Sequence, residues 1–175
     1  MAKLRKFCSY RNIKRPYTRV SKYKKKAYIR MSPNPKVVRF TTGNSVKQFE
    51  YTLMLNSKAE LNIRDNALES ARQVSNRLLE TRVGLSFYKL HLKVYPFHIM
   101  RENALASGAG ADRFSTGMAH SFGQPMGIAA RIKKGQTIFQ VDTDQKNLDF
   151  AKEALVRAAT KLPCSCSIVI LRNAA

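Results

Sequence analysis

Acidic residues are scarce in this sequence, and its first part has none. The chain of 175 residues contains 11 Asp and Glu against 32 Lys and Arg, which gives a formal net charge of +21. The first carboxylate is Glu50, so the 15 cations among residues 1–49 have no acidic neighbour in that segment. Neutralising the phosphates of a polyanion releases their counterions, and we therefore expect a nucleic acid as the partner of this chain.

Cysteine and long apolar runs are also scarce. An odd count of three cysteines (Cys8, Cys164 and Cys166) argues against a disulfide framework and suits a reducing compartment. No apolar run approaches the length of about 18 residues that spans a membrane, and no apolar core of a signal peptide follows the basic N-terminus. We therefore expect a soluble cytoplasmic protein that does not bind membranes.

The basic N-terminal segment interleaves tyrosines with Lys and Arg and lacks helical periodicity. This pattern favours an arm that is ordered on RNA, with cations on phosphates and aromatic rings on bases, over a disordered solvated tail. We predict an extended arm over residues 1–36 that contributes little to the core, followed by a single domain over residues 37–175. The predicted RNA-binding residues of the arm are Arg11, Lys14, Arg15, Tyr17, Arg19, Lys22, Lys24, Lys25, Lys26, Arg30 and Lys36.

Apolar residues at steps of three and four predict two amphipathic helices. The first begins shortly after the candidate capping box at residues 57–60 and ends near Gly84. The second has Asp144 as its candidate N-cap and ends before Pro163. Arg72 lies off the first stripe, where either solvent or an RNA phosphate is its expected partner. The predicted apolar stripes are Ile63, Ala67, Ala71, Val74 and Leu78, and Leu148, Ala151, Leu155, Ala158 and Leu162.

Alternating and β-branched segments predict strands at residues 36–40, 49–55, 86–95, 127–132, 137–141 and 167–171. We expect 127–132 and 137–141 to pair through a turn at Lys133-Lys134-Gly135, and the last strand to be buried. His91 and His98 are expected on the polar face of a strand or as packed rings. The order of elements predicts a compact α+β domain in which two helices pack on a mixed sheet.

A long glycine-rich loop is predicted between two of these strands, at residues 101–126. Residues 101–127 hold five of the eight glycines of the chain. Loops longer than about 12–15 residues are uncommon in compact domains unless they are functional or disordered, and small residues let a backbone approach a ligand closely. In so basic a chain, we expect that ligand to be nucleic acid.

The sequence contains no recognisable catalytic or metal-binding motif. Gly108-Ala-Gly110 lacks the third glycine of a dinucleotide-binding loop, and Cys164-x-Cys166 has the wrong spacing for zinc. Glu102 and Asp112 each stand beside an arginine, which favours charge balance or a role in loop shape over acid–base catalysis. We therefore predict no catalytic residue, no metal and no cofactor.

One pattern within residues 94–136 resembles a known family. It resembles the universal large-subunit ribosomal protein family, numbered sixteen in bacteria and ten in archaea and eukaryotes, in a form similar to the archaeal one. Further matches in the same order extend from Arg15-Pro-Tyr17 to Lys161-Leu-Pro163. The residues that carry the resemblance are Val94-Tyr-Pro-Phe-His98, Arg101, Gly110-Ala-Asp-Arg113, Gly117-Met118, Phe122-Gly123, Pro125, Gly127 to Arg131 and Gly135-Gln136.

The resemblance implies an α/β hammerhead-type fold and a non-enzymatic place between rRNA helices near the A and P sites. The implied partners are large-subunit rRNA, P-site and A-site tRNA and neighbouring ribosomal proteins, without homo-oligomers. Arg72 and Arg131 join the arm as implied rRNA-binding residues. Ala104, Ala119 and Gln124 replace cations usual in the family, which puts three of its phosphate contacts in question. The loop residues implied to face tRNA and the peptidyl-transferase region are Arg101, Asn103, Gly108, Gly110, Ala111, Asp112 and Arg113.

Two other functions compete with this interpretation. An RNA-processing enzyme with a basic arm would require a catalytic constellation, and it would act on naked RNA. Another basic nucleic-acid-binding protein, such as an architectural DNA-binding protein, would not prefer structured rRNA over duplex DNA at matched salt.

Overall fold

Eight strands and two helices make up the described part of the chain, which comprises residues 4–12, 31–103 and 123–173 of a computed structural model. The helices are α1 Asp65–Arg82 and α2 Leu148–Ala159. Neither helix, nor any other within the described ranges, is long and apolar enough to cross a membrane. The strands are β1 Thr41–Gly43, β2 Tyr51–Ser57, β3 Leu61–Arg64, β4 Tyr88–Leu92, β5 His98–Glu102, β6 Gln124–Ile132, β7 Thr137–Thr143 and β8 Cys166–Arg172.

These strands form two antiparallel sheets, where the sequence predicted one mixed sheet. The larger sheet has five strands in the order β1-β4-β7-β2-β8, and the smaller has three in the order β3-β6-β5. All of the pairs are antiparallel. The α+β class and the two packed helices are confirmed.

The two helices pack against each other and cover one face of the five-stranded sheet. Strand β2 shows why: Leu53 and Leu55 are at most 1% exposed, while Met54 and Asn56, on the opposite side of the pleat, are only half-buried. Removing such apolar surface from water is the main favourable contribution to folding. Neither of the two described helices covers the other face of this sheet.

The start of α1 differs from the prediction. Residues 61–64 form β3, so the helix begins at Asp65 and Ile63 belongs to a sheet. Ser57 caps no helix, because its hydroxyl bonds with the backbone of Ala59. A short apolar segment next to a helix fits either period, which explains the error. The buried face of α1 consists of Asp65, Leu68, Ala71, Ser75, Leu78 and Leu79.

The predicted end of α1 is confirmed, whereas α2 ends at Ala159, so Leu162 of its predicted stripe lies beyond the helix, and its predicted cap is wrong. Helix α1 stops before Gly84, whose φ of +90° suits a residue without a side chain. A short 3₁₀ turn at Gln145–Asn147 separates Asp144 from α2. The carboxylate of Asp144 pairs instead with the Lys47 ammonium group at 2.6 Å, so Asn147 occupies the N-cap position of α2.

The predicted hairpin of residues 127–132 and 137–141 is wrong. Strand β6 pairs with β3 and β5, whereas β7 pairs with β2 and β4, so the turn carries the chain from one sheet to the other. Gly135 has a φ of +81° there, and its N–H donates to the Ser57 carbonyl at 2.7 Å. Pairing of neighbouring strands is the local expectation, but burial in two layers overrides it.

Three predicted strand positions also need correction. The first strand begins at Thr41 rather than within residues 36–40. Strand β8 lies at the edge of its sheet and is not buried, with Ile170 40% exposed. Strand β5 was not predicted, and with β6 it extends into both ends of the predicted loop. The remaining loop residues 104–122 lie outside the described residues.

Candidate nucleic-acid interface

The N-terminal segment 4–12 lies on the outer face of the three-stranded sheet. Leu4 and Tyr10 pack on Met100 and Ala129 of that sheet. Asn62 of β3 ties down the backbone, since its side-chain amide donates to the Tyr10 carbonyl at 3.0 Å. The expectation that the arm contributes little to the core is therefore wrong for this segment.

A buried cluster joins the segment to the strand that leads into the loop. The Tyr10 hydroxyl donates to one carboxylate oxygen of Glu102, and Arg5 Nε donates to the other at 3.1 Å. The Arg64 guanidinium lies 4.9 Å above the centre of the Tyr10 ring. Burial, followed by the hydrogen bond to Glu102, raises the pKa of Tyr10 to about 12. Tyr10 therefore remains a neutral donor at any physiological pH.

Sequence reasoning expected Glu102 to balance the charge of its neighbour Arg101 and missed its partners Tyr10 and Arg5. Glu102 and Tyr10 are each 5% exposed, and a carboxylate that deep in a protein requires a donor and a counter-charge. Arg5 and Tyr10 supply them from more than ninety residues away along the chain. No local pattern signals such a pair, because the contact depends on which sheet the segment docks on.

Two predicted loop and sheet cations lie close to a buried histidine on the same sheet. His98 is 1% exposed, which confirms its prediction as a packed ring. Its burial, followed by the charges of Arg101 and Arg131, lowers the pKa of His98 to about 4. Arg131 also pairs with the Glu60 carboxylate at 3.2 Å. The neutral imidazole therefore adds no positive charge beside these arginines.

The structure also describes two further predicted site residues, Arg11 and Asn103. Arg11 is exposed on the docked segment, with its guanidinium 5.4 Å from the centre of the Phe7 ring. Asn103 follows β5 directly and is half-buried. Arg11, Arg101, Asn103 and Arg131 thus all belong to the three-stranded sheet, its loop or its docked segment.

Lys36 and Arg72 lie along α1 instead. The Lys36 backbone N–H donates to Asp65 at the start of this helix, at 3.2 Å. Arg72 holds Glu69 through two nitrogens, at 2.9 and 2.6 Å. These bonds lower the pKa of Glu69 and raise that of Arg72. Arg72 is thus already paired within the protein, and an RNA phosphate would have to compete with Glu69.

The remaining predicted site residues lie outside the described part of the chain. Within that part, no three His, Cys, Asp or Glu side chains gather in a way that could hold a metal ion. The predicted residues without a structural description are Lys14, Arg15, Tyr17, Arg19, Lys22, Lys24, Lys25, Lys26, Arg30, Gly108, Gly110, Ala111, Asp112 and Arg113.

Comparisons with known proteins agree with the resemblance seen in the sequence. A family model described as ribosomal protein L16p/L10e matches residues 17–169. The large ribosomal subunit protein uL16 of Methanococcus aeolicus is 46% identical over 165 residues, covering 94% of this chain and 92% of that protein. The protein of the same name from Archaeoglobus fulgidus is 45% identical over 161 residues, covering 92% and 89% of the two chains.

Proposed function

Because this chain belongs to the ribosomal protein L16p/L10e family, we propose that it is a structural constituent of the large ribosomal subunit. Its partners are large-subunit rRNA and neighbouring ribosomal proteins, and its location is the ribosome in the cytoplasm. It acts as a single copy rather than as a homo-oligomer. It carries out no reaction itself, so peptide-bond chemistry belongs to the RNA.

The docking of residues 4–12 is the observation that supports rRNA binding most directly. The hydrogen bond between Tyr10 and Glu102 attaches the beginning of the basic arm to the three-stranded sheet, and the same sheet holds both ends of the glycine-rich loop. Lys and Arg contacts to phosphates fix the position and register of a protein on RNA. The arm and the sheet cations thus approach rRNA from a common base, and the bound rRNA in turn fixes the direction of the loop.

The loop is proposed to reach towards P-site and A-site tRNA near the peptidyl-transferase region. Arg101 and Asn103 stand at its base, and the small residues Gly108, Gly110 and Ala111 let its backbone approach RNA closely. Its contribution is to position tRNA, since neither Asp112 nor Arg113 belongs to a catalytic constellation in the sequence.

The rRNA-binding part is tested by changing the four lysines between positions 22 and 26 to Gln. The slope of log K against log salt for large-subunit rRNA should become shallower by about 0.9 for each phosphate that the arm no longer neutralises, with the melting temperature unchanged. An unchanged slope would contradict a phosphate-binding arm. Duplex DNA at the same salt is the control: equal affinity for DNA and rRNA would favour an architectural DNA-binding protein.

The tRNA-facing part requires a separate test. Replacing residues 104–111 with a short Gly-Ser linker should leave rRNA binding intact, because the arm and the sheet supply the phosphate contacts. Reconstituted large subunits that carry this variant at full occupancy should translate slowly or inaccurately. Wild-type speed and accuracy would show that the loop is a tolerated surface insertion.

A further inference from the structure

The face of the five-stranded sheet that the two described helices leave uncovered carries a row of basic groups that no predicted site includes. Residues 89, 91 and 93 point to one side of β4 and its continuation, because side chains alternate along a strand. Leu90 and Leu92 point to the other side and are buried in the core at 1% and 2% exposure. We call Lys89, His91 and Lys93 the β4 stripe.

Two neutral side chains and one carboxylate of the adjacent strands surround the stripe. Thr41 of β1 lies opposite His91, and its hydroxyl is 2.7 Å from His91 Nδ1. On the other side, Gln140 lies opposite His91 and Asp142 opposite Lys89. The Asp142 carboxylate accepts hydrogen bonds from Gln140 Nε2 at 2.7 Å and from a threonine hydroxyl of β2 at 2.8 Å.

The described part of the chain gives neither lysine of the stripe an ion pair. Among the described residues, no carboxylate lies within ion-pairing distance of Lys89 or Lys93. His91 senses both of them: partial burial, followed by the charges of Lys93 and Lys89, lowers its pKa, and the negative charge of Asp142 acts in the opposite direction. The stripe is therefore a local concentration of positive charge, in which Asp142 opposite Lys89 is the acidic group that lines the same cleft.

A cleft in front of the stripe gives an anion room. A cavity of about 300 Å³ is lined by the three stripe residues together with Thr41, Ser45, Gln140 and Asp142. It shares Ser45, Lys89, Gln140 and Asp142 with a second cleft of about 700 Å³, which lies between the sheet and the segment 45–50. Asn173 also lines this larger cleft, and its amide donates to the Phe49 carbonyl at 2.8 Å.

We propose that the β4 stripe binds a backbone phosphate of large-subunit RNA and that the larger cleft receives the adjoining nucleoside. This assignment rests on the proposed function, since it takes RNA as the ligand. Two ammonium groups and an imidazole match a phosphodiester, whereas the amides of Gln140 and Asn173 and the carboxylate of Asp142 match the donors and acceptors of a base or ribose. An acidic protein segment would use the same ammonium groups, and its binding is one outcome of the experiment below.

Phosphate binding at the stripe changes the protonation of His91. A negative charge beside the imidazole favours its protonated form and opposes the lysine charges. Bound RNA should therefore raise the pKa of His91, and binding should tighten as pH falls through the range in which His91 gains its proton. A purely structural role for His91 would not couple its titration to RNA.

The experiment combines a salt titration with NMR titration of the histidine rings in the full-length protein. In the stripe variant, Lys89→Gln with Lys93→Gln, the slope of log K against log salt for large-subunit rRNA should be shallower by about 0.9. The matched control, Lys152→Gln with Lys161→Gln, removes the same charge on the helix-covered side and should keep the wild-type slope. In wild-type protein, rRNA should raise the pKa of His91, and this rise should be lost in the stripe variant.

Each other result overturns the assignment. A stripe variant with the control's salt slope, while wild-type protein still binds rRNA, would overturn the stripe and leave the proposed function intact. Wild-type protein that fails to bind rRNA would overturn both. An equal rise in the pKa of His91 with inorganic phosphate at the same phosphate concentration would show a free-anion site. A rise with a poly-glutamate peptide but not with rRNA would assign the stripe to an acidic protein.

Discussion

The bond between Tyr10 and Glu102 provides the most direct test of whether the N-terminal segment is part of the fold. Tyr10→Phe removes one hydroxyl and keeps the ring that packs on Met100 and Ala129. The carboxylate of Glu102, 5% exposed, then loses its buried donor and retains the guanidinium of Arg5. A buried acceptor left without its donor costs about 1–3 kcal/mol, so we expect the free energy of unfolding to fall by that amount.

Urea unfolding followed by circular dichroism measures this loss, and thermal unfolding should show a fall of about 2–4 °C for each kcal/mol. The matched control is Tyr95→Phe, which removes a hydroxyl from a side chain that is 59% exposed. This control should change the free energy of unfolding by less than about 0.5 kcal/mol. A cycle with Glu102→Gln and the double variant should give a coupling energy of about 0.5–3 kcal/mol.

The outcome that refutes the docking of residues 4–12 is specific. It is a Tyr10→Phe loss no larger than that of Tyr95→Phe, together with no coupling to Glu102→Gln. The arm would then be independent of the sheet in solution, and its cations would share no common base with the loop.

Three further predictions follow from buried side chains. Leu155→Ala, at a fully buried position of α2, should lower the free energy of unfolding by about 2–5 kcal/mol, whereas Val156→Ala at a 54% exposed position should cost less than about 1 kcal/mol in the same urea titration. Burial raises the pKa values of Tyr10 and Tyr88 to about 12, so the contribution of these two side chains to the free energy of unfolding should be constant below about pH 10 and should fall as pH rises towards 12. This fall should be less steep in Tyr88→Phe. The pKa of His98 is lowered to about 4 in the folded protein, so on acidification the unfolded chain binds a proton at His98 before the folded protein does. The free energy of unfolding should therefore fall as pH is lowered from about 6.5 towards 4, and this fall should be less steep in His98→Gln.

The structure tests the strand pairing that the sequence predicted, whereas the interface predicted from the sequence stays a prediction. Sequence reasoning identified Arg101 and Arg131 from the family pattern, and the structure places both beside His98. It missed the β4 stripe, although the alternation of Lys89, His91 and Lys93 with buried leucines is present in the sequence. The missing information was which face of the sheet the helices leave open, and only the packing of α1 and α2 settles that.

The sequence by itself determined the charge of this protein, its two helices, most of its strands and its family. Charge and apolar periodicity are properties of neighbouring residues, so they can be read without knowledge of the fold. Only the tertiary structure decided that β6 and β7 enter different sheets, that β8 lies exposed at an edge, and that Tyr10 reaches Glu102. These outcomes depend on contacts between distant segments, where the need to bury apolar faces and to pair buried polar groups outweighs local preference.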